Sequence, residues 1–300
     1  MDRRDIFKKH ATLFEPTPLE LSELEKDEPR VSFTVLPPDG ISEGRQSRVS
    51  ILEYTEQNTT RQVLFKRMGA GKQLSLDTAK SLESRLIPYR DELARFGWRI
   101  PTAYYTRTLL HEGEGQIFSY EQRVGRGDGE KIFGNPEQPN FLRWNIIRQT
   151  FETLARYPQS SLKRRQLAGQ GVTALPHGLD LKLANVVPDI DGTLYFVDLF
   201  GPKEIDEQGR WRTYRPELDS LPKENLLAVC ASREGTILRF WRLAETIWSK
   251  TLKVGIEDIR RGFLEFLDSL NLPSEESDFI KQQIATGYPW LDRIYSEQRV

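Results

Sequence analysis

The chain has 300 residues, 38% apolar and 29% charged, a balance that excludes an extended disordered or low-complexity polypeptide. Lys plus Arg number 43 against 44 acids, a net charge of −1, so no whole-molecule field draws it to nucleic acid or to an anionic membrane. Cys230 is the single cysteine, which forbids an intrachain disulfide; with no apolar run suited to a signal peptide or a bilayer span, a cytoplasmic protein is expected.

Residues 1–30 are acidic and proline-punctuated and read as an N-terminal extension, with short helices expected near 2–14 and 19–26. Strands are expected over 31–36, 49–54 and 62–67. Ala79, Leu82, Leu86 and Leu93 recur at helical spacing over 75–96, where Pro88 should end or kink the helix. Two further strands, 102–110 and 116–124, flank a glycine-rich turn. Residues 31–124 thus form one expected region, ordered as three strands, a helix and two strands. Within it, Val63 and Phe65 share one face and leave Lys66 with Leu64 on the other. Glu83 falls at helical spacing between Ala79 and Leu86 and borders the apolar face; Glu92 is its rival.

Residues 125–300 turn helical after the glycine-rich Gly125–Gly129, the expected hinge. Apolar stripes begin at Phe141, Ile237 and Ile256, a pattern of helix packing more often than of a cofactor box. Ahead of the second stripe lie His177-Gly178-Leu179-Asp180-Leu181-Lys182-Leu183-Ala184-Asn185 and then Phe196-Val197-Asp198. Between them Asp191-Gly192 reads as a two-residue hairpin loop, a register that sets Val186 against Val197 and Asn185 against Asp198. Directly opposed residues have Cβ atoms about 4.5–5.5 Å apart. With Asp180 just upstream, the result is an oxygen cluster of the kind Mg²⁺ takes when it also holds phosphates; the bland alternative is an exposed hairpin with polar ends. Lys163-Arg164-Arg165 precedes this stretch and offers charge for an anionic substrate, though a solvated face is its usual meaning.

Asp180-Leu181-Lys182-Leu183-Ala184-Asn185 resembles the D-L-K-x-x-N catalytic loop of protein kinases. The preceding His177-Gly178 is similar to the H-G-D loop of aminoglycoside and choline phosphotransferases, and Asp198 falls where that superfamily keeps its D-F-G aspartate. Leu179 is inserted between the His-Gly pair and the aspartate, and Gly201 follows Asp198 one place late. Val63-Leu64-Phe65-Lys66 resembles the V-A-I-K strand, Gly44 stands where the phosphate-covering loop keeps a glycine, and Phe118 to Gly125 resembles the hinge.

The resemblance implies an α+β, two-lobed protein kinase-like fold: a small antiparallel-sheet N-lobe over 31–124 with one main helix, and a mostly helical C-lobe over 125–300. It implies Asp180 as acceptor of the substrate hydroxyl proton, with Asn185 and Asp198 as ligands of Mg²⁺. Lys66 would reach the α- and β-phosphates of ATP, paired with Glu83; Gly44 would lie over the phosphates, and backbone groups at Glu121, Gln122 and Arg123 would meet adenine. The loop lacks the H-R-D arginine, which favours a hydroxyl-bearing small molecule over a protein as acceptor. A Ser/Thr-type protein kinase and a catalytically inactive nucleotide-binding scaffold are the alternatives. A zinc site and a Ser-His-Asp hydrolase are set aside, because the three histidines stand far apart, one cysteine cannot supply a zinc site, and no G-x-S-x-G elbow accompanies a Ser-His-Asp order.

Overall fold

The structure, a computed structural model, describes residues 4–5, 7–8, 33–36, 47–56, 58–68, 74–111, 113–125, 127–206, 208, 210, 223–252 and 255–296. The chain is α+β and divides into two compact units, Met1–Asp91 with Ile100–Arg126, and Glu92–Arg99 with Gly127–Val300. The helix expected near 19–26 and the loop around Gly44 lie outside the described residues.

The first unit is a five-stranded antiparallel sheet: β1 (Phe33–Leu36), β2 (Ser47–Glu56), β3 (Thr59–Met68), β4 (Ala103–His111) and β5 (Glu114–Gln122). The strand order is β1-β2-β3-β5-β4. The period of two puts Leu52, Tyr54, Val63, Phe65, Phe118 and Tyr120 on one face, where they form a buried apolar cluster. Phe7 completes that cluster: its ring stacks on Tyr104 at 5.4 Å and on Tyr120 at 5.3 Å, and meets Tyr54 edge-on at 5.7 Å. A residue of the N-terminal extension therefore contributes to the core.

Helix α1 (Leu76–Arg95) continues past Pro88, so the proline does not end it. Pro88 sits on the exposed side, while Leu86 and Tyr89 beside it are buried. Burying two such side chains is worth about 1.5–3 kcal/mol each, enough to offset the roughly 3 kcal/mol cost of an interior proline.

The second unit carries seven of the described helices: α2 (Gly129–Gly134), α3 (Asn140–Ala155), α4 (Lys223–Cys230), α5 (Arg233–Leu252), α6 (Ile256–Ser269), α7 (Ser274–Ala285) and α8 (Pro289–Ser296). α5 is the central one, as its apolar stripe predicts. Trp241 stacks on Phe263 of α6 at 3.8 Å, and Phe151 of α3 meets Phe240 edge-on at 5.5 Å. α4 and α5 approach so closely that a Cβ on Gly235 would lie 1.9 Å from the Ala228 carbonyl oxygen. The expected glycine hinge is partly a helix start: Asp128 caps α2 by accepting from the Lys131 N–H at 3.0 Å, and a Cβ on Gly129 would meet the Leu183 carbonyl at 2.8 Å.

Two hairpins complete this unit, β6 (Lys163–Leu167) with β7 (Gln170–Ala174) and β8 (Val186–Pro188) with β9 (Leu194–Phe196). The first was not expected, because its opening Lys-Arg-Arg-Gln has no apolar alternation; Ala168 and Gly169, both at positive φ, make its turn. The second is shifted by one residue from the expected register: Val186 faces Phe196, and the Val197 N–H donates to the Asn185 carbonyl at 3.0 Å. The loop has three residues, not two. Asp189 and Gly192 close a turn around Ile190 and Asp191, and Gly192 takes the left-handed conformation at φ 81°. The Asp191 carboxylate accepts from both the N–H and the hydroxyl of Thr193, while Asn145 and Gln149 of α3 donate to the Gly192 carbonyl. The expected opposition of Asn185 and Asp198 is therefore wrong; Asp198 lies one residue past Asn185's partner.

Candidate functional site

In the first unit the candidate residues gather around Lys66. Its register opposite Ser119 places it on the same sheet face as Glu121 two residues on. Lys66 Nζ lies 2.7 Å from Glu121 Oε2, with both side chains nearly buried. The Ser119 hydroxyl donates to the other carboxylate oxygen at 3.1 Å, and Arg90 of α1 approaches it at 3.6 Å. The expected Lys66–Glu83 pair does not form. Glu83 instead accepts from the Thr108 backbone N–H at 2.8 Å, fastening α1 to β4. Glu121 wins because it shares the lysine's sheet face through the rigid β3–β5 ladder.

Glu121 and Gln122, whose backbone groups are expected to meet adenine, belong to the end of β5. Both are ladder residues of a strand paired on its two sides, and the Gln122 N–H donates to the Thr102 carbonyl at 2.8 Å. Arg123 is the first residue beyond the strand, and its guanidinium donates to the Gln62 side-chain oxygen.

In the second unit, alternation builds the site. Leu179, Leu181 and Leu183 are fully buried, which turns the intervening Asp180 and Lys182 outward. Leu179, the inserted residue, is thus an anchor, fixed further by its N–H donating to the Cys230 carbonyl at 2.5 Å. Asp180 holds two cations, Arg239 of α5 at 2.9 Å on Oδ1 and Lys182 at 2.9 Å on Oδ2. Burial opposes its ionisation, but Arg239, Lys203 and Lys182 outweigh burial and hold the carboxyl well below the usual carboxylate range.

Asn185 is tied back to the same residue, its amide nitrogen donating to the Asp180 carbonyl at 2.7 Å. Only the NH₂ group can make that bond, so Oδ1 is left as the acceptor end. Asp198 follows Val197 out of the hairpin and accepts from the Phe200 N–H at 3.2 Å on one oxygen, ahead of Gly201 at φ 70°. Asp180 and Asn185 are therefore brought together directly, and Asp198 follows Val197, whose N–H donates to the Asn185 carbonyl. Among the described residues no group of three or more His, Cys, Asp or Glu side chains is arranged to hold a metal.

His177 has a different job. It is fully buried, with Phe96 edge-on at 5.0 Å and Tyr157 at 5.5 Å between ring centres. Trp98 Nε1–H donates to the Tyr157 oxygen at 2.5 Å, which leaves the phenol O–H to donate to His177 Nε2 at 2.9 Å. The ring then carries its proton on Nδ1, 3.8 Å from the Glu92 carboxylate. Burial pushes the imidazole pKa below its ordinary value, so it sits neutral at pH 7. Glu92, the rival partner for Lys66, serves this histidine.

Sequence reasoning passed over Arg239, Lys203 and the Trp98–Tyr157–His177 chain. Arg239 lies within the apolar stripe of α5, where a cation among Ile237, Phe240 and Trp241 is the one signal available. No protein-family model and no curated protein matches this chain.

Proposed function

We infer that this chain is an ATP- and Mg²⁺-dependent phosphotransferase with a two-lobed, protein kinase-like fold, acting on a hydroxyl of a small molecule. The observation that carries the reading is the Asn185 amide, whose nitrogen is tied to the Asp180 carbonyl and whose oxygen is thereby left to accept. Asn185 and Asp198 would hold Mg²⁺ with phosphate oxygens and water completing its shell, and the bound metal would neutralise phosphate charge. Asp180, held ionised by its cations, orients the acceptor hydroxyl by accepting its hydrogen bond. Lys182, beside it and half-exposed, offers positive charge to the transferred group. Lys66 supplies the second cation for phosphate oxygens, with Glu121 in the role foreseen for Glu83.

A second reading, a nucleotide-binding scaffold without turnover, is favoured by one observation: both oxygens of Asp180 already carry a cation. ATP consumption with Mg²⁺, against small hydroxylated metabolites and against generic protein substrates, separates the readings. Turnover confined to small molecules is the expected result. Asp180→Asn should lower it by roughly 10²–10⁴-fold while leaving the ATP-induced thermal shift in place, and Asp198→Asn should diminish both. ATP at about 100 times its Kd stabilises by about 2.7 kcal/mol, a shift of several degrees for a chain this size. Absence of any metal-dependent shift at millimolar ATP would overturn both readings.

A further inference from the structure

The C-terminal helix α8 packs on α5 in an antiparallel register that can be followed level by level. The Tyr288 hydroxyl, just ahead of α8, donates to the Glu245 carboxylate, and the Arg242 guanidinium lies 5.4 Å from the centre of the Tyr288 ring. Four residues further on, Asp292 takes Arg242 Nη2 at 2.6 Å. Advancing along α8 thus means retreating along α5, and one more turn of each helix sets Tyr295 against Arg239. The charges that act on Tyr295 agree with this placement: burial pushes its phenol pKa up, and Arg239 opposes that more than any other group. Cys230 and Asp180, which share Arg239 Nη1 at 3.1 Å and 2.9 Å, act on the same phenol. Two further bonds fasten α8. The Asn225 amide of α4 donates to the Ile294 carbonyl at 3.2 Å, and Trp290 Nε1–H donates to the Ala168 carbonyl in the β6–β7 turn at 3.1 Å.

Resting on the phosphotransferase reading for the task of Asp180, we infer that Tyr295 is a positioning residue of that site: from α8 it backs the Arg239 guanidinium and holds it on the Asp180 carboxylate. A guanidinium on a long side chain gives up much rotamer freedom to keep one pose, and it keeps that pose when its neighbours leave no other room. A tyrosine suits the task, since its ring is broad and turns about only two side-chain bonds. With Arg239 so held, Asp180 Oδ1 is fixed in direction, and the acceptor hydroxyl meets a carboxylate of set geometry. A small misplacement of such a group is costly in rate. The last described helix of the chain thereby belongs to the Asp180 site.

Cys230 provides a reporter that does not depend on turnover, because it is the single thiol of the chain, is 1% exposed and accepts from Arg239. Thiol labelling of the full chain under native conditions should run at least about tenfold faster in Tyr295→Ala than in wild type, as the Arg239 site opens locally. Tyr295→Phe should label like wild type. Ile294→Ala, at a buried position of the same helix, loosens α8 without removing the group opposite Arg239, and its labelling should rise clearly less. In turnover of a small hydroxylated acceptor, Tyr295→Ala should lower kcat by about tenfold or more and leave KM for ATP within about twofold of wild type. Phenylalanine should restore kcat, and the alanine change should add no further loss in an Arg239→Lys background. If Tyr295→Ala does not fold, Tyr295→Val, which also removes the ring, carries the same expectations. Labelling in Tyr295→Ala no faster than in Ile294→Ala, failure of phenylalanine to restore, or a full further loss in the Arg239→Lys background would overturn the proposal. Wild-type protein that turns over no acceptor would instead sink the phosphotransferase reading, and the labelling rates would then decide by themselves whether Tyr295 holds Arg239.

Discussion

Each unit contains one ion-paired cluster at its candidate site, and the two differ in how far water reaches them. In the first, Lys66 and Glu121 have side chains 11% and 4% exposed, and Ser119 and Arg90 complete the carboxylate's bonding. In the second, Asp180 and Arg239 are 20% and 19% exposed and Lys182 is 42% exposed. The same chemistry of carboxylate and cation therefore serves two ends. The first cluster is closed: removing one partner strands the other in a medium that solvates it poorly. The second is open on the Lys182 side, where a ligand's phosphate could take the ammonium without leaving a buried charge behind.

The largest effect expected from this contrast is in the closed cluster. Glu121→Ala should cost about 3–5 kcal/mol in urea unfolding, the usual result of stranding one member of a buried pair. Replacing both members, Lys66→Met with Glu121→Leu, should recover most of it, and a single-mutant cost below about 1 kcal/mol would erase the distinction between the clusters. The next effect tests whether the second unit also has a closed part, at His177. Burial lowers that imidazole's pKa, so the unfolded chain binds the proton more tightly. Stability should fall as pH drops below about 6.5, by up to about 1.4 kcal/mol per pH unit, and the slope should vanish in His177→Gln.

Asp180 gives a smaller effect, with its own pH dependence. Asp180→Asn should cost about 1–2 kcal/mol at pH 7, the scale of hydrogen bonds to charged groups in a partly wetted site. The folded carboxyl binds its proton more weakly than the unfolded one. Its contribution is therefore complete above about pH 3.9 and drains away as pH falls below that, so wild type and variant should converge in acid. The smallest effect belongs to Lys182→Ala, expected within about 1 kcal/mol because the ammonium is largely solvated. A loss of 3 kcal/mol or more there, on the scale of a buried pair, would mean the second cluster is as closed as the first.

Much of this architecture was readable from periodicity. The sheet strands alternate, the stripes over α3, α5 and α6 recur at helical spacing, and the leucines at 179, 181 and 183 announce which neighbours point outward. The hairpin register was not readable, because Asp191-Gly192 suits either a two-residue loop or the last two places of a three-residue one. The choice is made by α3, whose Asn145 and Gln149 bind the Gly192 carbonyl from far away in sequence. The partner of Lys66 was hidden for a similar reason. Spacing offered Glu83, with Glu92 as its rival, and only the β3–β5 register shows that Glu121 shares the lysine's face. Arg239 was invisible because its meaning depends on where α5 crosses the Asp180 loop.

Phe7 has a consequence for handling the protein. It lies against Tyr54, Tyr104 and Tyr120 on a face that continues through Phe65 and Phe118. A chain shortened to begin at residue 31 would keep every strand yet open this aromatic surface to water, as an adhesive patch on an otherwise well-mannered sheet. Such a fragment should self-associate in a concentration-dependent way on a sizing column, and low micromolar yields from it would reflect stickiness, not misfolding.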